Sequence, residues 1–314
     1  MRDRTDDIVS HDTLRRVRPG TYSIVARDAR TGDVGVAVQS HWFGVGSVVS
    51  WARAGVGAVA TQSIADVSYG PAALALLADG AEPADALAHL VARDQRAAVR
   101  QVAVIDATGR VAVHTGPSCI AYAGHQTGDG YSAQANMMAS EAVWPAMAEA
   151  FEGSEGPLAR RLIAALRAAE AAGGDVRGRQ SAAVVVAPAD GEAWRKRVDL
   201  RVEDHPEPLD ELERLLDLAD AYRLANEGDD LVGQGRHAEA SDRYKRAAAL
   251  APGNHELLFW SGLAAAQGGD LDTALERVRR AIAMQPGWRE LLERLQPDIA
   301  PAAAAVREAL RAAG

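Results

Sequence analysis

The sequence predicts an α+β fold: a four-layer αββα sandwich of two largely antiparallel sheets, followed by an all-α module. Three observations predict it. Runs of β-prone residues come in pairs separated by turn residues, so hairpins outnumber strand–helix–strand units. Pairs of helical patterns fall between them, in the order strands, two helices, strands, two helices, strands, and each sheet thereby gains a helical layer for its outer face. From about residue 209 onward the pattern is helical only, and it repeats every 34 residues.

The first hairpin joins 21–26 to 34–39 through Thr31-Gly32-Asp33, which supplies turn chemistry. In its second strand Gly35 and Ala37 alternate with Val36 and Val38, giving one small face and one branched face. A third apolar run, 56–61, follows Trp51-Ala52-Arg53-Ala54-Gly55, and helical patterns follow at about 70–79 and 83–93. Residues 101–114 form a second hairpin around Asp106-Ala107-Thr108-Gly109. A strand at 131–137 precedes helices at about 140–152 and 155–172, and a last hairpin, 181–202, turns at Ala189-Asp190-Gly191.

The C-terminal part repeats at six matched positions, each pair 34 apart: Leu224 and Leu258, Gly228 and Gly262, Gly235 and Gly269, Ala240 and Ala274, Ala247 and Ala281, Pro252 and Pro286. This is the tetratricopeptide period, in which each unit is a helical hairpin, the alanines sit where helices touch and Pro ends the second helix. Residues 288–313 are helical but off-pattern, interrupted by Pro297 and Pro301, and read as a cap. The expected organisation is a flexible leader at 1–20, an αββα domain at 21–208 and the repeat domain at 209–314.

Composition excludes several function classes. The 314 residues are 48% hydrophobic and 25% charged, enough apolar material for a sizeable core. A net charge of −9 argues against a nucleic-acid binder, which needs a basic footprint. The single cysteine, Cys119, excludes an internal disulfide and fits a reducing compartment. A thiol nucleophile beside His114 lacks the rest of a constellation, so Cys119 reads as a small buried hydrophobe. The eight histidines show no paired ligand spacing, and neither a metal nor a cofactor is expected. No apolar run is long enough for a membrane span. The first twenty residues carry five Arg and four Asp and no apolar core, so they are not a secretory signal, and the expected compartment is the cytoplasm.

The chemistry begins at Pro19-Gly20-Thr21, at the head of the first strand. A threonine at a mature N-terminus acts as a nucleophile because its α-amine is a built-in base, with a reference pKa of about 7.7–8.0. Alone, Gly-Thr before a strand is equally an ordinary β-prone residue after a tail. Asn136, on a strand ending in Met137-Met138, has an amide suited to an oxyanion; the plainer reading is a cap on the strand end. Gln39 and Gln62, at the ends of apolar strands, rank below it. The loop 173–181 packs three glycines with Asp175, Arg177, Arg179, Gln180 and Ser181, where an Arg fork holds a carboxylate bidentately; otherwise it is a helix stop with solvated charges.

Longer stretches carry a resemblance. Thr21-Tyr22-Ser23-Ile24-Val25-Ala26-Arg27-Asp28, Gly35-Val36-Ala37-Val38-Gln39-Ser40, 51–62, Tyr69-Gly70-Pro71, Gln134-Ala135-Asn136-Met137, 173–183 and Val198-Asp199-Leu200-Arg201-Val202 together resemble the DUF1028 family, a bacterial family of unknown function. The resemblance spans about 21–205. It implies the fold of the N-terminal-nucleophile hydrolases, in agreement with the strand order read from the residues, and Thr21 as nucleophile. It also implies a basic residue near the nucleophile, which Arg53 matches by following the second strand; the plainer reading is a surface arginine at a strand edge. Family members commonly begin near the equivalent of Thr21, whereas twenty residues precede it here. Either the leader is cut at Gly20-Thr21, or the start is misassigned, or the family does not use this threonine.

Two functions follow as expectations. One is an amide-bond hydrolase with catalytic Thr21, Arg53 and Asn136, a small amide or peptide substrate held by Asp175, Arg177, Arg179, Gln180 and Ser181, and a repeat module for a protein partner. The other is a non-catalytic scaffold whose repeats bind a partner or mediate assembly, with a homo-oligomer left open.

Overall fold

The computed structural model describes residues 20–312. The expected leader, apart from Gly20, lies outside the described residues. The chain divides into two compact units, the first ending at Glu213 and the second beginning at Arg214.

The first unit is a sandwich of two sheets. The six-stranded sheet is built from β1 (Thr21–Arg27), β2 (Val34–Ser40), β7 (Gly124–Gly128), β8 (Tyr131–Asn136), β9 (Ser181–Ala187) and β10 (Val198–Val202). Its strand order is β10-β9-β2-β1-β8-β7, and every pairing is antiparallel. The second sheet takes β3 (Ser50–Arg53), β4 (Gly57–Ser63), β5 (Arg100–Asp106) and β6 (Val111–Thr115) in sequence order, also antiparallel. A four-residue helix α1 (Gly46–Val49) precedes β3. The outer layers are α2 (Tyr69–Ala78) and α3 (Pro83–Arg93) on the four-stranded sheet, and α4 (Val143–Glu152) and α5 (Leu158–Ala171) on the six-stranded one.

Hidden on both faces, the central strands need no polar alternation, which is why β9 reads Ser-Ala-Ala-Val-Val-Val-Ala and is buried throughout. The edge strand β7 is the opposite, a mostly exposed Gly-His-Gln-Thr-Gly run with little apolar surface to recruit another chain. α5 buries Leu158, Leu162, Ala165, Leu166 and Ala169 on one stripe. Between the sheets, Val25, Val34, Val36 and Val38 meet Ala58, Ala60, Ala103 and Ile105. Each buried Val contributes about 1.5–3 kcal/mol relative to exposure. Small residues on the four-stranded side keep the layers close.

The second unit is helical and continues from α6 (Pro208–Gly233) through α7 (His237–Leu250), α8 (His255–Gln267), α9 (Leu271–Met284), α10 (Gly287–Arg294) and α11 (Ala303–Ala312). Two helical hairpins form as the period requires. Ala240 and Ala274, the matched alanines, are 1% and 0% exposed. Gly228 lies so close to the Tyr244 ring that a Cβ would sit 2.8 Å from it, which is why a small residue recurs there. Asn254 caps α8 by accepting from the N–H groups of Glu256 and Leu257, and Asp270 caps α9 at Thr273. α10 and α11 close the end, with Trp288 stacked on Phe259 at 4.6 Å and Leu292 and Val306 buried.

Three elements were not expected from sequence. The segment containing Trp51 and Arg53 is not a connection but the strand β3, behind the short α1, and β7 adds an edge to the larger sheet. None carries an apolar alternation long enough to announce itself.

Candidate active site

The period-2 pleat decides which side chains enter the space between the sheets. From β1 these are Thr21, Ser23 and Val25, from β2 Val36, Val38 and Ser40, from β8 Ser132, Gln134 and Asn136, and from the facing sheet Gln62 and Gln101. The interlayer space is thus apolar along most of its length and polar at one end, the end where β1 begins.

That polar end is a continuous hydrogen-bond network, fully buried from Ser132 through Gln134, Ser23 and Gln62 to Gln101. Ser132 Oγ donates to Gln134 Oε1, Gln134 Nε2 to Ser23 Oγ at 2.6 Å, and Ser23 Oγ to Gln62 Oε1 at 2.6 Å. Gln62 Nε2 donates to Gln101 Oε1 at 2.7 Å and to the Thr21 carbonyl at 3.2 Å. Asn136 Nδ2 reaches the same two acceptors, at 3.0 and 3.4 Å, while its Oδ1 is buried without a partner. Gln101 Nε2 donates on to Thr115 Oγ1 and to the Gly124 and Ala135 carbonyls. Buried amides are tolerated because nearly every group is satisfied.

Thr21 pairs with Ser40 on one side and Asn136 on the other. Its Oγ1 donates to Ser40 Oγ at 3.1 Å, and Ser40 Oγ in turn donates to the Gly20 carbonyl. Arg177 Nη2 donates to the same carbonyl at 2.9 Å. Arg177 is itself held by Asp175, whose carboxylate accepts its Nη2 at 2.7 Å, its Nε at 3.1 Å and its backbone N–H at 2.9 Å. The Asp175 carboxylate is fully buried and also accepts from the His41 N–H at 3.2 Å. Gly20 has no room for a side chain: a Cβ would stand 2.7 Å from Arg177 Nη2 and 2.8 Å from the Met137 Cβ. Backbone strain gathers here too, with Ser63 at φ +70° and Met137 at φ +58°, at the ends of β4 and β8.

The expected residues divide. Thr21, Asn136, Asp175 and Arg177 come together, and Ser181 joins them as the strand neighbour of Ser40, its hydroxyl bonded to the Trp42 carbonyl. Arg179 turns to the helical side and pairs with Glu207 and, at 3.6 Å, with Glu170. Gln180 is half-buried and bonds Asp204 at 3.1 Å. Arg53 is not brought to Thr21. It pairs with Gly57 at one end of β4, while Gln62, the residue that touches Thr21, stands five positions further along. At about 3.3–3.4 Å per residue that is roughly 17 Å of strand.

Gln39 points the other way from Gln62, toward α5. There the Tyr22 hydroxyl lies against the Gln39 side-chain amide and donates to Glu170 at 2.5 Å. Burial, and then the Glu170 carboxylate, hold the Tyr22 phenol above its ordinary value. Burial likewise pushes the Cys119 thiol up, and its Sγ donates to the Arg100 carbonyl, so no thiolate stands ready. His114 bonds the Ala97 carbonyl. Among the described residues no three His, Cys, Asp or Glu side chains gather to hold a metal ion. No helix of the described residues is long and apolar enough to cross a membrane.

Sequence reasoning missed Ser40, Gln101 and Gln134. Their signal was present, as polar residues at the inward phase of otherwise apolar strands, but the pairing that brings three strands to one end is not local.

Residues 225–287 match the tetratricopeptide repeat, a unit that presents surfaces to other proteins. No curated protein matches the chain. A crystallised DUF1028 protein from Silicibacter pomeroyi is similar at 37% identity with a TM-score of 0.58, over 62% of this chain and 84% of that one. Residues 21–212, the whole sandwich, match the profile described as a family of unknown function, DUF1028, and the chain belongs to that family.

Proposed function

We propose that the sandwich is an amide-bond hydrolase with Thr21 as its nucleophile, uncovered by cleavage of the Gly20–Thr21 bond. The observation that carries this reading is the Gly20 carbonyl, gripped by the Arg177 guanidinium and the Ser40 hydroxyl immediately beside the Thr21 hydroxyl. In self-cleavage Thr21 Oγ adds to the Gly20 carbonyl carbon. The oxygen that gains charge already has two donors aimed at it. The C–N bond then breaks, the amine of Thr21 takes the proton, and water hydrolyses the resulting ester. The freed amine serves as the base for the next acyl transfer, and Thr21 Oγ repeats the attack on a substrate amide. With Gly20 gone, Arg177 is left, oriented by Asp175, to receive a substrate carbonyl or carboxylate. Asn136 positions Thr21 through its carbonyl and its strand pairing.

The complete burial of Thr21 favours a second reading, a scaffold whose repeats bind a protein partner. The mass of the purified protein separates the two. Loss of residues 1–20 from the wild type, and their retention in Thr21→Ala, supports the hydrolase. An intact chain in both leaves the amine blocked and the scaffold ahead. Thr21→Ser retains a hydroxyl and an amine, so it processes and keeps partial activity in an amide-library screen.

A further inference from the structure

Within the repeat unit a cavity of about 320 Å³ opens between α7 and α9, with the end of α8 lining it as well. Its charged lining is Lys245, Arg277 and Asp270, with His237 beside them. Asp270 is already engaged, since its carboxylate caps α9 at the Thr273 N–H, 3.0 Å away. Tyr244, also in the lining, spends its hydroxyl on Asp229 at 2.7 Å. Arg277 is half-buried, donates Nη1 to the Ser261 carbonyl at 3.3 Å, and forms no ion pair among the described residues. Other arginines of the unit have carboxylate partners: Arg223 with Glu227, Arg236 with Glu239, Arg243 with Glu227 and Asp242, Arg280 with Glu276. Burial lowers the Arg277 pKa, and the Asp270 and Glu276 carboxylates oppose that shift only through space, without an ion pair to the guanidinium. The chain as a whole carries −9, so this positive spot is not part of a general basic field.

A second cavity, of about 290 Å³, shares Lys245 with the first and is otherwise lined by Pro252, Leu257, Leu258, Asn254, Arg280 and alanines. A basic anchor therefore adjoins an apolar one along α7.

We infer that the cleft between α7 and α9 is a docking site for an acidic peptide segment of a partner protein, which places a carboxylate on Arg277 and Lys245 and an apolar side chain in the neighbouring cavity. A carboxylate fits because the guanidinium fork and a nearby ammonium satisfy both oxygens, and because it supplies the direct ion pair that Arg277 does not make among the described residues. The site lies wholly in the repeat unit and is independent of Thr21.

The test uses the full chain and fluorescence anisotropy with three fluorescein-labelled octapeptides. One alternates glutamate with leucine and has an amidated C-terminus, one replaces each glutamate with glutamine, and one is the glutamine peptide with a free C-terminal carboxylate. The expected result is saturable binding of the glutamate peptide, weakened by added salt. Arg277→Ala should weaken it by about tenfold or more, the loss of one charge-assisted hydrogen bond. Lys245→Gln, at an exposed position that leaves the fold untouched, should weaken it several-fold. Arg246→Gln, on α7 but outside both linings, should change nothing. Binding of the free-carboxylate glutamine peptide would assign the site to a chain terminus, and binding of the glutamate peptide alone to acidic side chains. Equal affinity for glutamate and amidated glutamine peptides, an affinity indifferent to both Arg277→Ala and Lys245→Gln, or no binding up to millimolar peptide overturns the inference.

Discussion

Arg177 and Gly20 are separated by 157 positions of chain, yet Nη2 of the one lies 2.9 Å from the carbonyl oxygen of the other. The contact is built rather than casual. The buried Asp175 carboxylate fixes the guanidinium from behind, and the absence of a Cβ at Gly20 lets the two groups approach.

Removing the guanidinium tests this directly. Arg177→Met should slow release of residues 1–20 by about 10²–10³-fold, the usual cost of one oxyanion donor. The Arg177 side chain is 30% exposed but pairs with the fully buried Asp175, so the melting temperature of each variant is read beside its mass. Arg177→Lys should recover part of the rate, since a point charge replaces a fork. The readout is intact mass against time after synthesis, and wild-type kinetics in Arg177→Met would remove the residue from the mechanism.

The amide network makes a separate prediction. Gln101→Leu removes the acceptor for Gln62 Nε2 and Asn136 Nδ2 and the donor to two strand carbonyls. Each buried group left unsatisfied costs about 1–3 kcal/mol. The sandwich should lose at least about 2 kcal/mol in a denaturant titration. A loss under about 0.5 kcal/mol would mean that the network is replaceable by packing.

In the repeats, Ala240 is 1% exposed and packs with Leu231, Val232 and Tyr244. Ala240→Leu should overpack this contact by about 1–3 kcal/mol. Helical circular dichroism on heating reads the effect, and an unchanged melt would show that the helices yield at no cost.

Asp229 gives a pH dependence. Burial raises its pKa, outweighing the hydrogen bond it accepts from Tyr244, so the folded state holds the proton more tightly than the unfolded one. The ionised carboxylate is therefore the costly form. The penalty is present at neutral pH and is lost as pH falls through the folded pKa, in the window just above the ordinary carboxylate range. Asp229→Asn should stabilise the helical unit at neutral pH, with an advantage over wild type that shrinks on acidification. An advantage that stays constant with pH would show that titration is not its cause.

Most of the layer order was legible because it rests on local signals: turn residues at 31–33, 106–109 and 189–191, and helical stripes between the hairpins. The repeats were legible because a period is self-evident. The site was legible only in part. Thr21, Asn136, Asp175 and Arg177 stand out as residue types, and all four belong to the loop and strand ends that converge. Arg53 failed because its strand, β3, is four residues long and runs away from the polar end, a matter of register that no local pattern encodes. Arg179 and Gln180 failed because the chain turns away from the site after Arg177, and α5 and the Asp204–Glu207 segment offer carboxylates to both.

β1 sits inside the larger sheet with a partner on each edge, and its ladder starts at Thr21. The Gly20 carbonyl lies just outside that ladder, held by the Ser40 and Arg177 side chains. In the proposed cleavage the new terminus would remain paired with Ser40 of β2 and Asn136 of β8. The cut would therefore be mechanically silent: the sandwich should melt at the same temperature and give the same spectrum before and after, while an atom that was an amide nitrogen becomes a titrating amine at a fixed address.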